Sequence, residues 1–178
     1  ISYQEELDYL INSEARNTFI KNLVLDLNTN TLLLFRFVEK HGKILYDMIK
    51  EESNGRTIFF VHGGTDADTR EQIRHIVESE RNAIIVASYG VFSVGVDIRN
   101  LHNIVFASPS KSRVRNLQSI GRGLRKSKKK DIATLYDIAD DLSYGSSFNY
   151  TLDHFEERKK IYEEERFPVA EYFVQLKT

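Results

Sequence analysis

The stretch RNAIIVASYGVFSVGVDIRNLHNIVFASPS, residues 81–110, holds two apolar runs separated by a glycine-bearing turn. AIIVA (83–87) and NIVFA (103–107) are almost continuously hydrophobic rather than alternating. A strand of that kind is covered on both faces, as in a parallel sheet whose crossover helices lie on each side. Three more runs of the same character flank it: TLLLFRF (31–37), TIFFV (57–61) and IATLYDI (132–138). Amphipathic stretches lie between them. Residues 39–52 set Ile44, Leu45, Met48 and Ile49 at helical spacing, with Gly55 beyond as a stop. Residues 66–79 set Ile73, Ile76 and Val77 on one face, and 111–125 set Val114, Leu117, Ile120 and Leu124 on another. This alternation predicts an α/β domain, a doubly wound parallel sheet flanked by helices.

Both ends read as additions. Residues 1–30 form a helical lead-in of one or two helices, with Ser13 as the N-cap of the second. The sheet domain spans 31–145. Residues 146–178 hold a highly charged helix, YTLDHFEERKKIYEEE (150–165), expected as a solvated surface element, and then a strand at Val169–Leu176. The sequence opens at Ile1 and its single methionine is Met48, so it reads as part of a longer polypeptide.

Composition narrows the class. Of 178 residues, 41% are hydrophobic, enough to bury the core of one domain. No apolar run approaches the roughly 20 residues of a membrane helix. The absence of cysteine excludes a disulfide framework and thiolate zinc sites and suits a reducing, cytoplasmic compartment. The five histidines, at 41, 62, 75, 102 and 154, have no metal-ligand spacing. The net charge of −1 conceals an asymmetry: Lys111–Lys130 carries nine basic residues and no acidic one, leaving 16 basic against 26 acidic residues elsewhere.

Ligands of open α/β sheets gather where strands end and helices begin. Three such junctions stand out. In VHGG (61–64), two glycines would let backbone N–H groups approach an anion, although an ordinary turn fits as well. In ASYGVFSVGVDI (87–98), Asp97 could bond a ribose hydroxyl and Ser88 a phosphate, or the segment is a loop with a capping aspartate. The third junction is QSIGRGLR (118–125). On a helix, Gln118, Arg122 and Arg125 share one face, and two guanidiniums a turn apart can grip phosphate oxygens. Gly121 and Gly123 each cost about 1 kcal/mol in a helix interior, which suggests that something approaches the backbone closely. A solvated basic face is the plainer reading.

In this order, the three segments resemble the second RecA-like domain of superfamily 2 helicases and translocases. QSIGRGLR fits the sixth motif at Gln118, Gly121, Arg122 and Arg125; VGVD (94–97) resembles the end of the fifth; TLLLFRF resembles the fourth. VHGGTDADTRE, with Arg70 at the start of a helix, resembles the companion segment. GVFSVGVDIRNLHNIVFASPSKS is similar to phage-type DNA helicases, and the whole chain to RecG-like, branch-migrating recombination helicases of T-even phages.

That resemblance implies an ATP-dependent DNA helicase for recombination or repair. Arg122 and Arg125 would be arginine fingers toward the γ-phosphate of ATP held by an N-terminal RecA-like domain of the same polypeptide. Gly95, Asp97, Gln118 and Gly121 would line the nucleotide. Arg36, His62, Gly63 and Ser88 or Tyr89 would follow the backbone of branched or forked DNA or an RNA–DNA hybrid. The chain has no GxxxxGK[ST] loop and no DExH motif, so the phosphate cradle and the Mg²⁺ ligands are expected on the missing domain, and this part alone is expected to be inactive. No membrane is implied, a small protein partner is left unnamed, and a phage-encoded chain would act in the host cytoplasm. Two alternatives remain: a duplex translocase or remodeller motor half, and a non-catalytic RecA-like nucleic-acid-binding module.

Overall fold

The computed structural model describes residues 2–93, 100–108, 133–142 and 149–176. Five parallel strands, β1 (Thr31–Phe35), β2 (Ile58–Val61), β3 (Ile84–Ser88), β4 (Asn103–Phe106) and β5 (Thr134–Asp137), form one sheet in the order β2-β3-β1-β4-β5. All five expected strands are present; four are trimmed by one to three residues, and β3 is shifted by one. The central strand β1 pairs Thr31–Phe35 with Ile84–Ser88 on one side and Thr31–Leu34 with Asn103–Phe106 on the other.

Side chains of the inner strands alternate between two cores, as the two-residue period of a strand requires. Leu32, Leu34, Ile85, Ala87, Ile104 and Phe106 pack on Ile73 and Val77 of α4 (Ala67–Ser79). Leu33, Phe35, Ile84, Val86 and Val105 pack on the opposite face, against Ile20 and Val24 of α2 (Glu14–Asp26) and Leu45 and Ile49 of α3 (Lys43–Glu51). Each fully buried Leu or Ile contributes about 1.5–3 kcal/mol, so covering both faces is what holds the sheet. The lead-in helix α2 is thus one of the layers that cover it.

Side chains cap three helix starts, the expected Ser13 among them. Ser2 and Glu5 form a capping box at the start of α1 (Tyr3–Asn12). The Ser13 hydroxyl accepts the Arg16 N–H at the start of α2, and Asp66 accepts the Thr69 N–H at the start of α4. After α3 the chain turns through Asn54 and Gly55, both left-handed at φ 51° and 84°.

Three expectations need correction. The helix foreseen over 39–52 begins instead with a π-turn, Val38–Gly42, in which the Gly42 N–H bonds Phe37 O at 2.8 Å, before α3 proper. Gly42 lies so close to the Phe35 ring that any Cβ there would collide with it. The strand at Val169–Leu176 is not formed: the segment is irregular, pairs with none of the described strands, and leaves Tyr172 and Phe173 almost fully exposed. A short helix α5 (Tyr89–Ser93) follows β3 directly, and the charged helix α6 (Tyr150–Glu164) is docked rather than solvated. It buries Thr151, His154, Arg158 and Tyr162. Arg158 forks onto Asp137 at the end of β5, at 2.7 and 2.8 Å, where the Tyr162 hydroxyl also donates. Glu6 of α1 receives the Tyr150 N–H at 2.9 Å and the Asn149 side chain, a carboxylate placed at the amino end of α6. The two terminal additions therefore hold each other.

Candidate functional site at the carboxyl edge of the sheet

In an all-parallel sheet every carboxyl end lies along one edge. Here that rim gathers Arg36 after β1, His62 and Gly63 after β2, and Ser88 and Tyr89 at the end of β3. The pairing of Phe35 with Ser88 and of Val61 with Ala87 sets them on three neighbouring strands. Of the expected site residues, Gly95, Asp97, Gln118, Gly121, Arg122 and Arg125 lie outside the described residues. So do the helix of 111–125 and the basic run 126–130.

The described members differ in what they present. Arg36 is exposed, with its guanidinium 5.0 Å from the Phe37 ring centroid. It also hydrogen-bonds Tyr3, whose hydroxyl pKa burial pushes up despite the nearby cation. His62 closes its own loop: Nδ1 accepts the Gly64 N–H at 2.9 Å, and its backbone N–H donates to Thr65 Oγ1 at 3.1 Å. The Gly64 amide, one of the two expected to meet an anion, is therefore committed within the loop. Gly63 borders open space. Ser88 is 7% exposed. Tyr89 is a correction: its ring is buried against Phe106, 5.7 Å between centroids, and its hydroxyl donates to Ser108 O at 2.8 Å. Its phenol is packed in the core instead of being displayed on the rim.

Beneath the rim lies a polar network that the sequence did not announce. Arg16 of α2 is 1% exposed and forks onto Asp140 at 2.7 and 2.9 Å, while its third nitrogen donates to Ala107 O at 2.7 Å. His41, fully buried in the π-turn, contacts Ser108 Oγ through Nδ1 at 3.2 Å and Asn17 Oδ1 through Nε2 at 3.0 Å. Asn17 Nδ2 donates to Ile11 O, which fixes Oδ1 as an acceptor. His41 is therefore the neutral Nε2–H tautomer, accepting from the Ser108 hydroxyl. Burial, reinforced by the Arg16 charge, holds its pKa down at about 3. Further along the sheet, burial opposes the charge of Arg158, but Asp137 beside it prevails and its pKa is raised. His41 was the only sequence signal for this network, as one of five histidines without metal spacing.

Among the described residues no group of three His, Asp or Glu side chains could hold a metal ion, and no helix is long and apolar enough to cross a membrane. The arrangement offers an exposed cation and loop main chain on a rigid parallel edge, a geometry that suits a phosphate backbone.

Comparison with known proteins agrees with this architecture. The model of the helicase conserved C-terminal domain matches residues 15–127, from α2 through β4 and QSIGRGLR. The ATP-dependent DNA helicase UvsW of Enterobacteria phage T4 is 36% identical over 179 residues, covering 93% of this chain and 35% of that protein. A putative ATP-dependent helicase of Saccharomyces cerevisiae, IRC3, is 28% identical over 143 residues, covering 78% of this chain and 20% of that protein. The crystal structure of T4 UvsW superposes with a TM-score of 0.75 at 35% identity, over 94% of this chain and 36% of that one. The chain thus spans about a third or less of the curated relatives it matches. With its five-stranded RecA-like sheet and a family match over most of its length, the chain belongs to the C-terminal domain family of superfamily 2 helicases.

Proposed function

We propose that this chain is the second motor half of an ATP-dependent DNA helicase working in recombination or repair, by branch migration or by fork or R-loop processing. ATP would be the substrate shared with an N-terminal RecA-like domain of the same polypeptide. Arg122 and Arg125 would stabilise charge at its γ-phosphate, with Gln118, Gly121, Gly95 and Asp97 around the nucleotide. The observation that carries the reading is the family match, whose span runs through QSIGRGLR. The rim supports it: Arg36, the Gly63 main chain and Ser88 lie at the ends of three adjacent strands, where the phosphates of one strand could pass. Contacts to backbone alone allow stepping without reading sequence. Mg²⁺ would be held with the nucleotide by the N-terminal domain, where the DExH-type ligands that this sequence lacks are expected.

The test is Arg122→Ala and Arg125→Ala in the full-length protein, measured as DNA-stimulated ATP hydrolysis. An arginine finger contributes about 10³-fold or more in related nucleotide hydrolases, and a loss of that order is expected for each. Hydrolysis near the wild-type rate would remove the assignment.

A further inference from the structure

Ser108 follows β4 by two residues, is 1% exposed, and is outside every role assigned above. Three strand ends meet on it. Its hydroxyl accepts the backbone N–H of Arg36, beyond β1, at 3.2 Å and donates its proton to His41 Nδ1 at 3.2 Å. Its carbonyl accepts the hydroxyl of Tyr89, beyond β3, at 2.8 Å. The preceding carbonyl, of Ala107, is held by Arg16, and the Ala107 N–H by Leu34 O at 2.9 Å. The end of β4 is therefore pinned from both sides of the sheet. From Ser108 the chain runs directly into residues 109–132, which carry Gln118, Arg122 and Arg125.

Buried donors and acceptors left without partners are costly, so such a node moves as a unit or not at all. A displacement of Ser108 breaks the bonds to Arg36, His41 and Tyr89 together, and a shift of any of these three acts back on Ser108. We infer that Ser108, oriented by His41, is a positioning residue that couples the rim at Arg36 and Ser88 to the segment bearing Gln118, Arg122 and Arg125. Nucleic acid on the rim and ATP in the cleft would then act on one shared strand end. The inference rests on the proposed function.

The experiment uses the full-length protein and reads three quantities: ATP hydrolysis without DNA, the rate at saturating DNA, and the DNA concentration giving half-maximal stimulation. Ser108→Ala should lower the stimulated rate and raise the half-saturating DNA concentration, each about tenfold, with DNA-free hydrolysis within about twofold of wild type. The two His41 variants separate coupling from packing. Asn retains the group that faces Ser108, whereas Gln retains the one that faces Asn17. His41→Asn should keep DNA stimulation near wild type and His41→Gln should lose it. Equal behaviour of the two His41 variants would overturn the inference, and decides it even if Ser108→Ala does not fold. Loss of DNA-free and stimulated rates by one common factor, with half-saturation unchanged, would overturn it as well. If Arg122→Ala abolishes hydrolysis while Ser108→Ala is normal, only this inference fails. If Arg122→Ala is fully active, the proposed function fails first.

Discussion

The two edges of the sheet are both closed by buried side chains, but with different chemistry. At the amino edge the work falls to neutral amides bonded mainly to main chain. Asn30 accepts the Ala83 N–H at 2.8 Å and donates to the carbonyls of Glu80 and Asn100 at 2.8 and 3.0 Å. Asn100, itself left-handed at φ 74°, donates to Glu80 O at 3.0 Å, and Asn103 to Thr29 Oγ1 at 2.7 Å. At the carboxyl edge the fasteners are ionisable groups from distant elements: Arg16 with Asp140, Arg158 with Asp137, and His41 with Ser108. The amino edge thus closes the strands on themselves. The carboxyl edge is tied to α2 and α6, which brace the rim from below.

The difference can be broken by mutation. Arg16→Ala strands the mostly buried Asp140 carboxylate and should cost about 3–5 kcal/mol in urea unfolding of this chain. Asn30→Ala removes neutral hydrogen bonds and should cost about 1–3 kcal/mol. Equal losses would erase the distinction between the edges. A pH-dependent effect sharpens it. His41 has a folded pKa of about 3 against its ordinary 6.5, so folding favours the neutral form. Its contribution is complete above pH 6.5 and is lost as pH falls from 6.5 towards 3, at up to about 1.4 kcal/mol per pH unit. Stability measured across that window should decline less steeply in His41→Asn than in wild type. An unchanged slope would mean that His41 is not held neutral.

Much of the fold is legible in the sequence because its signals are local. Continuous apolar runs mark the five strands, and Ser13 marks a helix start by the hydroxyl that caps it. The parts that escape depend on partners far along the chain. The charged face of α6 looks solvated until Arg158 meets Asp137 and Glu6 meets its amino end, 144 residues from Tyr150. The π-turn at Val38–Gly42 follows from Gly42 lying against Phe35, a contact that no periodicity reveals. Strand-end position alone marks Arg36 and Gly63 as candidates, and both lie on the carboxyl rim. Tyr89 was misjudged because a tyrosine beside a turn can point outward or inward, and the acceptor on Ser108, 19 residues away, decides which.

Nucleic acid is proposed to run along the carboxyl edge. Gly63 on that rim borders open space and admits a side chain, and Arg81 is exposed on the amino side of β3. A photoreactive residue placed at each position in turn, in the full-length protein with single-stranded DNA, reads the contact directly. The account predicts efficient crosslinking from position 63 and almost none from position 81. Crosslinking from 81 that equals or exceeds that from 63 would contradict it.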